Sequence, residues 1–501
     1  MGATRVIAKN TFLLTLGLLA GRALAMVVWD KMTPILGPEG FGIWGLATDL
    51  SVILLTIANF GLGALITREV IRAKTMTLPI FWAALRIRWF IGAVGYLLLL
   101  AYTQFSGITP VAQAAVLITG ISVFIEATSM ACDGVLQAHE KVEYQAVGQL
   151  VSAVVYFGLA IWFLDAGHGL MGVIWANLLS RVSRLLVMAP LMFLKTGPWR
   201  WRAPETEESP QPTLRWMMRL GWPLFLSTTF GILYFKIDVV MIMEFKGEIA
   251  TGIYVLGHRM LDVLLIGPNL FATALFPALA RSGADAKDDV VRLGERALRY
   301  MLFVIFPLTL LCTFVAPVII GIFDSNGEFP HSIPIMRIVV WGLPLQAASC
   351  IFNRLLITAG REKDFVKIAL LSLLVNVGLN LILIPRFSYY GAAVATIVGL
   401  GTSCVLHFSC VRRTDLWPPL RLAVGGSLVA LAGSWLVTTT LAHVAIPELE
   451  TGWFGLPLQG WRPFLTVTTL FVMLYIGAIF GLRVLRLADL RLLRQLIKGD
   501  Q

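Results

Sequence analysis

The chain has 501 residues, of which 57% are hydrophobic and only 14% are charged, and its formal net charge is +11. Soluble domains carry about 25% charged residues, so the composition excludes an ordinary soluble protein and indicates a polytopic membrane protein. The basic residues lie in short loops and in the C-terminal tail. This is the distribution of cytoplasmic membrane-protein loops, and it argues against a nucleic-acid partner.

Apolar segments long enough to cross a membrane recur along the whole chain, and a bilayer forces such segments into helices because each must pair its own backbone groups. Fourteen are predicted: 10–33, 41–66, 81–103, 111–131, 146–164, 171–194, 220–243, 251–279, 300–322, 335–357, 366–385, 391–411, 422–443 and 462–484. The first resembles a signal peptide around Ala23-Leu24-Ala25. Arg22 beside that site and an apolar run continuing to Trp29 favour a membrane span instead.

Loop charges predict the orientation of these spans. If the N-terminus is cytoplasmic, the outer side carries only Lys31, Lys246, Arg386 and Arg462 as basic loop residues, and the other loops and the tail carry the rest. Positive charge is enriched on the cytoplasmic side, so both termini are predicted to be cytoplasmic.

A polar stretch divides the chain. Residues 195–219 are rich in Pro and Glu and are predicted to be a cytoplasmic linker between an N-lobe, 1–194, and a C-lobe, 220–411. Two further spans occupy 412–484, and 485–501 is predicted to be a basic amphipathic tail on the membrane surface.

An internal repeat supports the two lobes. The segment GFGIWGLATDL at 40–50 parallels ATGIYVLGHRM at 250–260, an offset of 210 residues. Two further matches follow in the same order: LQAHEKVEY (136–144) with ITAGREKDF (357–365), and MGVIWAN (171–177) with YGAAVAT (390–396). The predicted fold is all-α with 14 transmembrane helices, in which two six-helix lobes form a pseudo-two-fold parallel repeat followed by two C-terminal helices. Such repeats place a substrate site at their interface.

Motifs of soluble catalysis are missing from the sequence. There is no GxxxxGK[ST] phosphate loop, the six His show no metal-ligand spacing, and the five Cys form no CxxC pair. No metal or cofactor is therefore expected. The outer loops contain acids such as Asp324 and Glu448, so a membrane polysaccharide polymerase or ligase stays open as an alternative.

Charges inside the predicted spans are the informative residues, because each costs about 2.5–3.5 kcal/mol at a helix centre. They are Arg22, Asp49, Glu126, Arg181, Arg184, Lys236, Asp238, Arg259 and Asp262. Lys236 and Asp238 are two residues apart and cannot pair on one helix face, so each needs another partner or a watery cavity.

Two hypotheses account for these charges. In the first, Arg22, Lys236 and Arg259 form an anion site in the cavity between the lobes, and Arg181 and Arg184 line its inner half. In the second, the cations pair with the acids Asp49, Asp238 and Asp262 and lock the lobes on the outer side. Glu126 is a candidate proton carrier, and the sequence leaves a coupling ion, H⁺ or Na⁺, undecided.

Several segments resemble one transporter family. The segment ILGPEGFGIWGLATDL at 35–50 and FGLGALITREV at 60–70 resemble the first two helices of bacterial oligosaccharide flippases. Residues 235–262 resemble their seventh and eighth helices, and NVGLNLILIPRFSYYGAAVAT at 376–396 resembles the turn between the eleventh and twelfth. The family is the polysaccharide transporter (Wzx-like) branch of the multidrug/oligosaccharidyl-lipid/polysaccharide exporter superfamily.

That resemblance implies a transporter, not an enzyme, in the bacterial cytoplasmic membrane. It would flip an undecaprenyl-pyrophosphate-linked oligosaccharide from the inner to the outer leaflet by alternating access, with the pyrophosphate on the cavity cations. The implied partners are that substrate, membrane lipids, a polysaccharide polymerase and chain-length proteins. A lipid II flippase and a cation-coupled multidrug exporter are the alternative transporters.

Overall fold

A computed structural model describes residues 2–72, 76–197, 214–281 and 287–414, together with positions 416, 425, 432, 435 and 475. Within these ranges the chain is helical and contains no strand. Its helices are α1 (Gly2–Asn59), α2 (Leu62–Arg72), α3 (Thr77–Phe105), α4 (Pro110–Ala138), α5 (Val142–Asp165), α6 (Gly169–Thr196), α7 (Leu214–Leu264), α8 (Ile266–Arg281), α9 (Lys287–Phe323), α10 (Ser332–Val339), α11 (Gly342–Thr358) and α12 (Asp364–Arg412). The all-α prediction is confirmed over these residues.

Nine helical stretches of the described residues are long and apolar enough to cross a membrane, which makes this a multi-pass membrane protein. Three of them contain a non-helical residue: Gly37 in α1, Gly247 in α7 and Ser388 in α12. The helix reverses at these points. Trp29 and Trp44 have ring centroids 6.0 Å apart, whereas fifteen residues of straight helix would separate them by about 22 Å.

The reversals divide α1, α7 and α12 into two arms each, and the predicted spans one to twelve all fall on described helical arms. The predicted spans thirteen and fourteen, the tail and most of the predicted linker lie outside the described residues. The second predicted span ends earlier than expected, at Asn59. There Phe60 (φ 47°) and Gly61 (φ 68°) adopt left-handed backbone conformations, and the chain resumes as the short α2.

Backbone geometry recurs at the spacing of the sequence repeats. Gly37 (φ 63°, ψ −176°) and Gly247 (φ 79°, ψ −170°) lie 210 residues apart. Gly169 and Ser388, with φ of 54° and 52°, lie 219 residues apart, the offset of the third sequence match.

The second match needs a correction of one residue. Two helices, α4 and α11, end in the same Schellman turn, with a positive φ at Glu140 and Gly360. The closing bond runs from Lys141 N to Leu136 O at 2.8 Å in one turn and from Arg361 N to Leu356 O at 2.9 Å in the other. The structural offset is therefore 220, one less than the sequence alignment used, because the turn fixes the register.

The chain packs as two compact units. The first comprises Met1–Leu256, Ile322–Pro330 and Ala369–Ala395, and the second comprises Gly257–Gly321, His331–Ile368 and Thr396–Gln501. In the first unit, helices α2, α3, α4 and α6 enclose an apolar core that includes the fully buried Leu62, Ile66 and Leu136. In the second unit α8 packs on α11, and Arg354 Nη2 donates to Thr273 Oγ1 at 3.2 Å.

Candidate functional site

A cavity of about 370 Å³ lies within the first unit, among α1, α4, α5 and α6. Its charged lining residues are Arg22, Glu126, Arg181 and Arg184, and its polar ones are Gln149, Ser152, Tyr156, Asn177 and Ser180. Small residues bring α1 against α5. A Cβ atom placed on Gly21 would lie 3.4 Å from the Cβ of Ala153, and Gly17 faces Ala146 in the same way. This close contact turns Arg22 of α1 toward α4 and α6.

The four charged residues start from the middle of their helices. Arg22 lies fifteen residues before Gly37, Glu126 sixteen after Pro110, and Arg181 and Arg184 twelve and fifteen after Gly169. At about 1.5 Å per residue these positions are roughly 18–24 Å from the helix ends. The ends meet on one side, since Lys31 pairs with Asp165 at 2.5 Å. The cavity charges therefore lie at similar depth within the bundle.

Two arginines of α6 are bound to acids of α4. Arg184 forms an ion pair with Glu126, and its Nη2 donates to Asp133 Oδ2 at 2.6 Å. Arg181 Nη1 lies 3.6 Å from Glu126 Oε2, and its Nε donates to Asn177 Oδ1 at 3.0 Å. Residues three apart share a helix face, as do residues seven apart, so the spacing of each pair aims both members at the facing helix.

Arg22 differs from these arginines. Its side chain is exposed, and it has no hydrogen-bond or ion-pair partner in the described part of the chain. The cavity lining thus holds three guanidinium groups against the single carboxylate of Glu126. Guanidinium groups stay charged and bind phosphate oxygens through two parallel hydrogen bonds, so the cavity has the chemistry of a phosphate site.

The two charges of the seventh span, Lys236 and Asp238, have separate contacts. Lys236 Nζ lies 3.5 Å from Asp49 Oδ1 on the second arm of α1. The Tyr254 hydroxyl donates to Asp238 Oδ2 at 2.7 Å across the reversal of α7. All four side chains are buried. The structure therefore groups Lys236 with Asp49 and groups Arg22 with Arg181 and Arg184.

Arg259 and Asp262 belong to the second unit. Their side chains approach to 3.5 Å, one turn apart on α7. Whether any of these charges binds substrate stays a prediction.

Sequence reasoning missed two charged residues of the first unit. Asp133 is the second acid on Arg184, and its signal was the spacing of seven residues from Glu126. Arg88 of α3 is fully buried; it donates to Ala127 O at 3.0 Å and to Asn59 Oδ1 at 2.6 Å. Its signal was its position inside the third predicted span. Across the described ranges, no group of three or more His, Cys, Asp or Glu side chains is placed to hold a metal ion.

The profile of the family described as polysaccharide biosynthesis protein matches residues 7–282, more than half of the chain. The chain belongs to the polysaccharide biosynthesis protein family. This membership confirms the resemblance to polysaccharide flippases of the exporter superfamily. A second profile, described as lipid II flippase MurJ, matches residues 205–454.

Two curated relatives come from Haloferax volcanii. The "Probable low-salt glycan biosynthesis flippase Agl15" is 24% identical to this polysaccharide biosynthesis protein over 183 residues, which is 36% of the chain and 39% of Agl15. The "Probable flippase AglR" is 23% identical over 432 residues, covering 81% of the chain and 84% of AglR. The chain thus spans less than half of Agl15 but most of AglR.

Solved structures show the same fold. The lipid II flippase MurJ in an inward closed conformation matches with a TM-score of 0.74 and 14% identity, over 93% of this chain and 98% of that one. An inward-facing multidrug resistance MATE transporter of the MOP superfamily matches with a TM-score of 0.65 and 15% identity, over 78% and 93%. The polysaccharide biosynthesis protein therefore has the fold of this transporter superfamily.

Proposed function

We propose that this protein is a flippase for a lipid-linked glycan. The specific substrate we propose is an undecaprenyl-pyrophosphate-linked oligosaccharide, moved from the inner to the outer leaflet of the bacterial cytoplasmic membrane by alternating access. The wider layout belongs to the same proposal: fourteen spans, two six-helix lobes joined by the linker 195–219, and both termini in the cytoplasm. A polysaccharide polymerase and chain-length proteins would act on the flipped product.

The observation that carries the proposal is the arginine cavity of the first unit. Arg22, Arg181 and Arg184 line an open space of about 370 Å³ in the middle of membrane-length helices. A charge at this depth is expensive, so three of them in one cavity indicate a functional site. A lipid-linked pyrophosphate supplies the anion that would compensate them.

Further support comes from the rest of the cavity lining and from the relatives. Gln149, Ser152, Asn177 and Ser180 are short or uncharged polar groups that suit sugar hydroxyls. Both Agl15 and AglR are named as probable flippases, Agl15 in glycan biosynthesis. The lipid tail of such a substrate would stay in the bilayer beside the helices while the headgroup passes through the polar space.

One second candidate has its own observation. The MurJ profile over residues 205–454 and the MurJ fold favour a lipid II flippase. Its headgroup also carries a pyrophosphate, so the arginine cavity suits both substrates and only transport of defined lipids separates them.

The test is reconstitution of the full chain into liposomes with a fluorescent lipid-pyrophosphate oligosaccharide. A membrane-impermeant reagent that destroys outer-leaflet fluorophores then reports flipping, and lipid II is assayed in parallel. We expect the wild type to flip the oligosaccharide lipid and Arg22→Gln to reduce the rate at least tenfold. Arg86→Gln removes an exposed arginine of α3 that is not in the cavity lining, and it should keep the wild-type rate.

Other outcomes assign another activity. Transport of lipid II alone would support the second candidate. Expulsion of a cationic dye that depends on Asp49 or Asp238, without flipping of either lipid, would contradict the proposal and identify a multidrug exporter.

A further inference from the structure

The carboxylate of Glu126 occupies the place in the cavity where an anion would bind. Glu126 is 9% exposed, lines the cavity, and contacts Arg184 through Oε1 and Arg181 through Oε2. Any phosphate that reaches Arg181 must therefore compete with a carboxylate that is already part of the protein.

Charged groups from the surrounding helices define this competition. Arg22 approaches from α1, Arg181 and Arg184 from α6, and Asp133 follows on α4 itself. Tyr156 of α5 lines the same cavity, while Arg88 of α3 bonds Ala127 next to Glu126. The charged pair of α2, Arg68 with Glu69, is bonded internally at 2.8 Å.

The two arginines bound to Glu126 are held unequally. Arg184 has a second acid, Asp133, at 2.6 Å, and Asp133 is not among the cavity-lining residues. Arg181 lies 3.6 Å from Glu126, longer than the usual 2.7–2.9 Å or so of a charge-assisted hydrogen bond, and its side chain is 22% exposed. Its other bond goes to the neutral amide of Asn177. An anion can therefore recruit Arg181 at small cost and cannot easily recruit Arg184.

We propose that Glu126 is an internal competitor that a substrate diphosphate displaces from Arg181. This inference rests on the proposed function and adds the chemistry of one residue to it. The diphosphate binds between Arg22, which is already available, and Arg181, one phosphoryl group on each guanidinium. Arg184 stays between Glu126 and Asp133 and holds α6 against α4. When the substrate leaves, the Glu126 carboxylate returns to Arg181.

An internal competitor has a use in a flippase. A transporter must release its substrate on the far side, and tight binding lengthens the time that a ligand stays bound. Glu126 lowers the affinity for the diphosphate and shortens that time. Removing its charge is therefore expected to strengthen binding and slow transport, two effects of opposite sign that a merely structural residue would not produce.

The chain offers a matched control for this experiment. Glu126 and Asp133 lie on the same helix, contact the same Arg184 and carry the same charge, but only Glu126 lines the cavity and contacts Arg181. Glu126→Gln and Asp133→Asn therefore change the net charge equally. Direct competition predicts a difference between them, whereas a general electrostatic effect predicts none.

The binding assay uses the full chain in lipid nanodiscs, with inorganic pyrophosphate as the probe and isothermal titration calorimetry as the readout. We expect Glu126→Gln to bind pyrophosphate about tenfold more tightly than the wild type, and Asp133→Asn to stay within about twofold. In liposomes, Glu126→Gln should flip the lipid-linked oligosaccharide at a lower rate. If Glu126→Gln does not fold, Glu126→Asp decides, because its shorter carboxylate withdraws from Arg181 and must also strengthen binding.

The inference and the proposed function fail in different ways. Unchanged or weaker pyrophosphate binding by Glu126→Gln, with flipping by the wild type intact, overturns the internal competitor and leaves the flippase standing. Equal tightening by Glu126→Gln and Asp133→Asn overturns it as well. Tighter binding by Glu126→Gln alone, in a protein whose wild type flips no lipid, supports the competitor and contradicts the flippase.

Discussion

Lys236 of α7 and Asp49 of α1 form an ion pair across two membrane helices, with Nζ 3.5 Å from Oδ1. Lys236 is 8% exposed and Asp49 2%, so water screens this pair poorly. Each residue lies inside an apolar run, and each alone would be a costly charge in that place. The pair links the first arm of α7 to the second arm of α1 within one compact unit.

Breaking this pair from one side should therefore be worse than removing it whole. Lys236→Met leaves the Asp49 carboxylate buried without this partner, and we expect a loss of about 3–5 kcal/mol in the free energy of unfolding. The double variant Lys236→Met, Asp49→Leu should recover most of that loss, because it leaves neither charge buried. Unfolding in mixed detergent micelles measures all four proteins of the cycle. Additive losses would show that the two side chains are not energetically coupled.

The first arms of the two reversals lead into a second close approach. A Cβ atom on Gly252 would overlap the carbonyl oxygen of Pro38 and lie 3.0 Å from Gly42 N, and one on Gly42 would overlap Glu248 O. These two glycines are 210 residues apart and match in the sequence repeat. Backbone meets backbone at this crossing, so no side chain can move aside.

Gly252→Ala is expected to cost about 3 kcal/mol, the upper end for overpacking. The matched control is Gly231→Ala in the same helix, where a Cβ would meet nothing within 4 Å. That substitution should be neutral or stabilise by up to about 1 kcal/mol, since alanine favours a helix more than glycine does. Melting temperatures of both variants in detergent give the comparison, and equal losses would argue against the crossing.

Much of the helical framework was predictable, because long apolar runs have few structural options in a membrane. The helix ends were less predictable. Phe60 adopts a left-handed conformation that nothing in its residue type signals, and it ends the second span before residue 66. The reversal at Ser388 is hidden for the same reason.

The candidate site was predictable in its residues and not in its grouping. Residue counting gives the depth of a side chain along its helix, and it correctly placed Arg22, Arg181 and Arg184 inside the spans. It does not give the direction in which the side chain points, because that depends on which helix faces make contact. The packing of Gly17 and Gly21 on α5 turns Arg22 into the cavity with Arg181 and Arg184, whereas Lys236 finds Asp49.

Arg88 is expected to act in stability alone. It is fully buried in α3 and bridges Ala127 O on α4 to Asn59 Oδ1, the last residue of α1 before the left-handed turn. Arg88→Lys keeps the charge but has no planar fork to reach both acceptors, so it should lose about 1–3 kcal/mol. Arg86→Lys, two residues earlier and exposed, is the control and should be close to neutral. Thermal unfolding tests both, and a normal melting temperature for Arg88→Lys would contradict the bridging role.

Arg181 and Arg184 should separate binding from stability. Arg184→Gln leaves Glu126 and Asp133 without their shared cation, and with a side chain only 10% exposed the loss should be about 3–5 kcal/mol. Arg181→Gln removes a longer contact from a more exposed side chain, so its cost to stability should stay below about 1 kcal/mol. Its effect should appear in pyrophosphate binding, which should weaken about tenfold because one of the two available guanidinium groups is gone.

The two measurements are made on the same nanodisc samples, unfolding by heat and pyrophosphate binding by calorimetry. Arg181→Lys is the informative second variant, since it keeps the charge and loses the fork; it should recover part of the affinity and none of the specificity for pyrophosphate over phosphate. If Arg181→Gln unfolds as readily as Arg184→Gln, the two arginines hold the same network and the division between them is wrong. If Arg184→Gln folds normally and loses pyrophosphate binding, their roles are reversed, and the phosphate site lies deeper against α4.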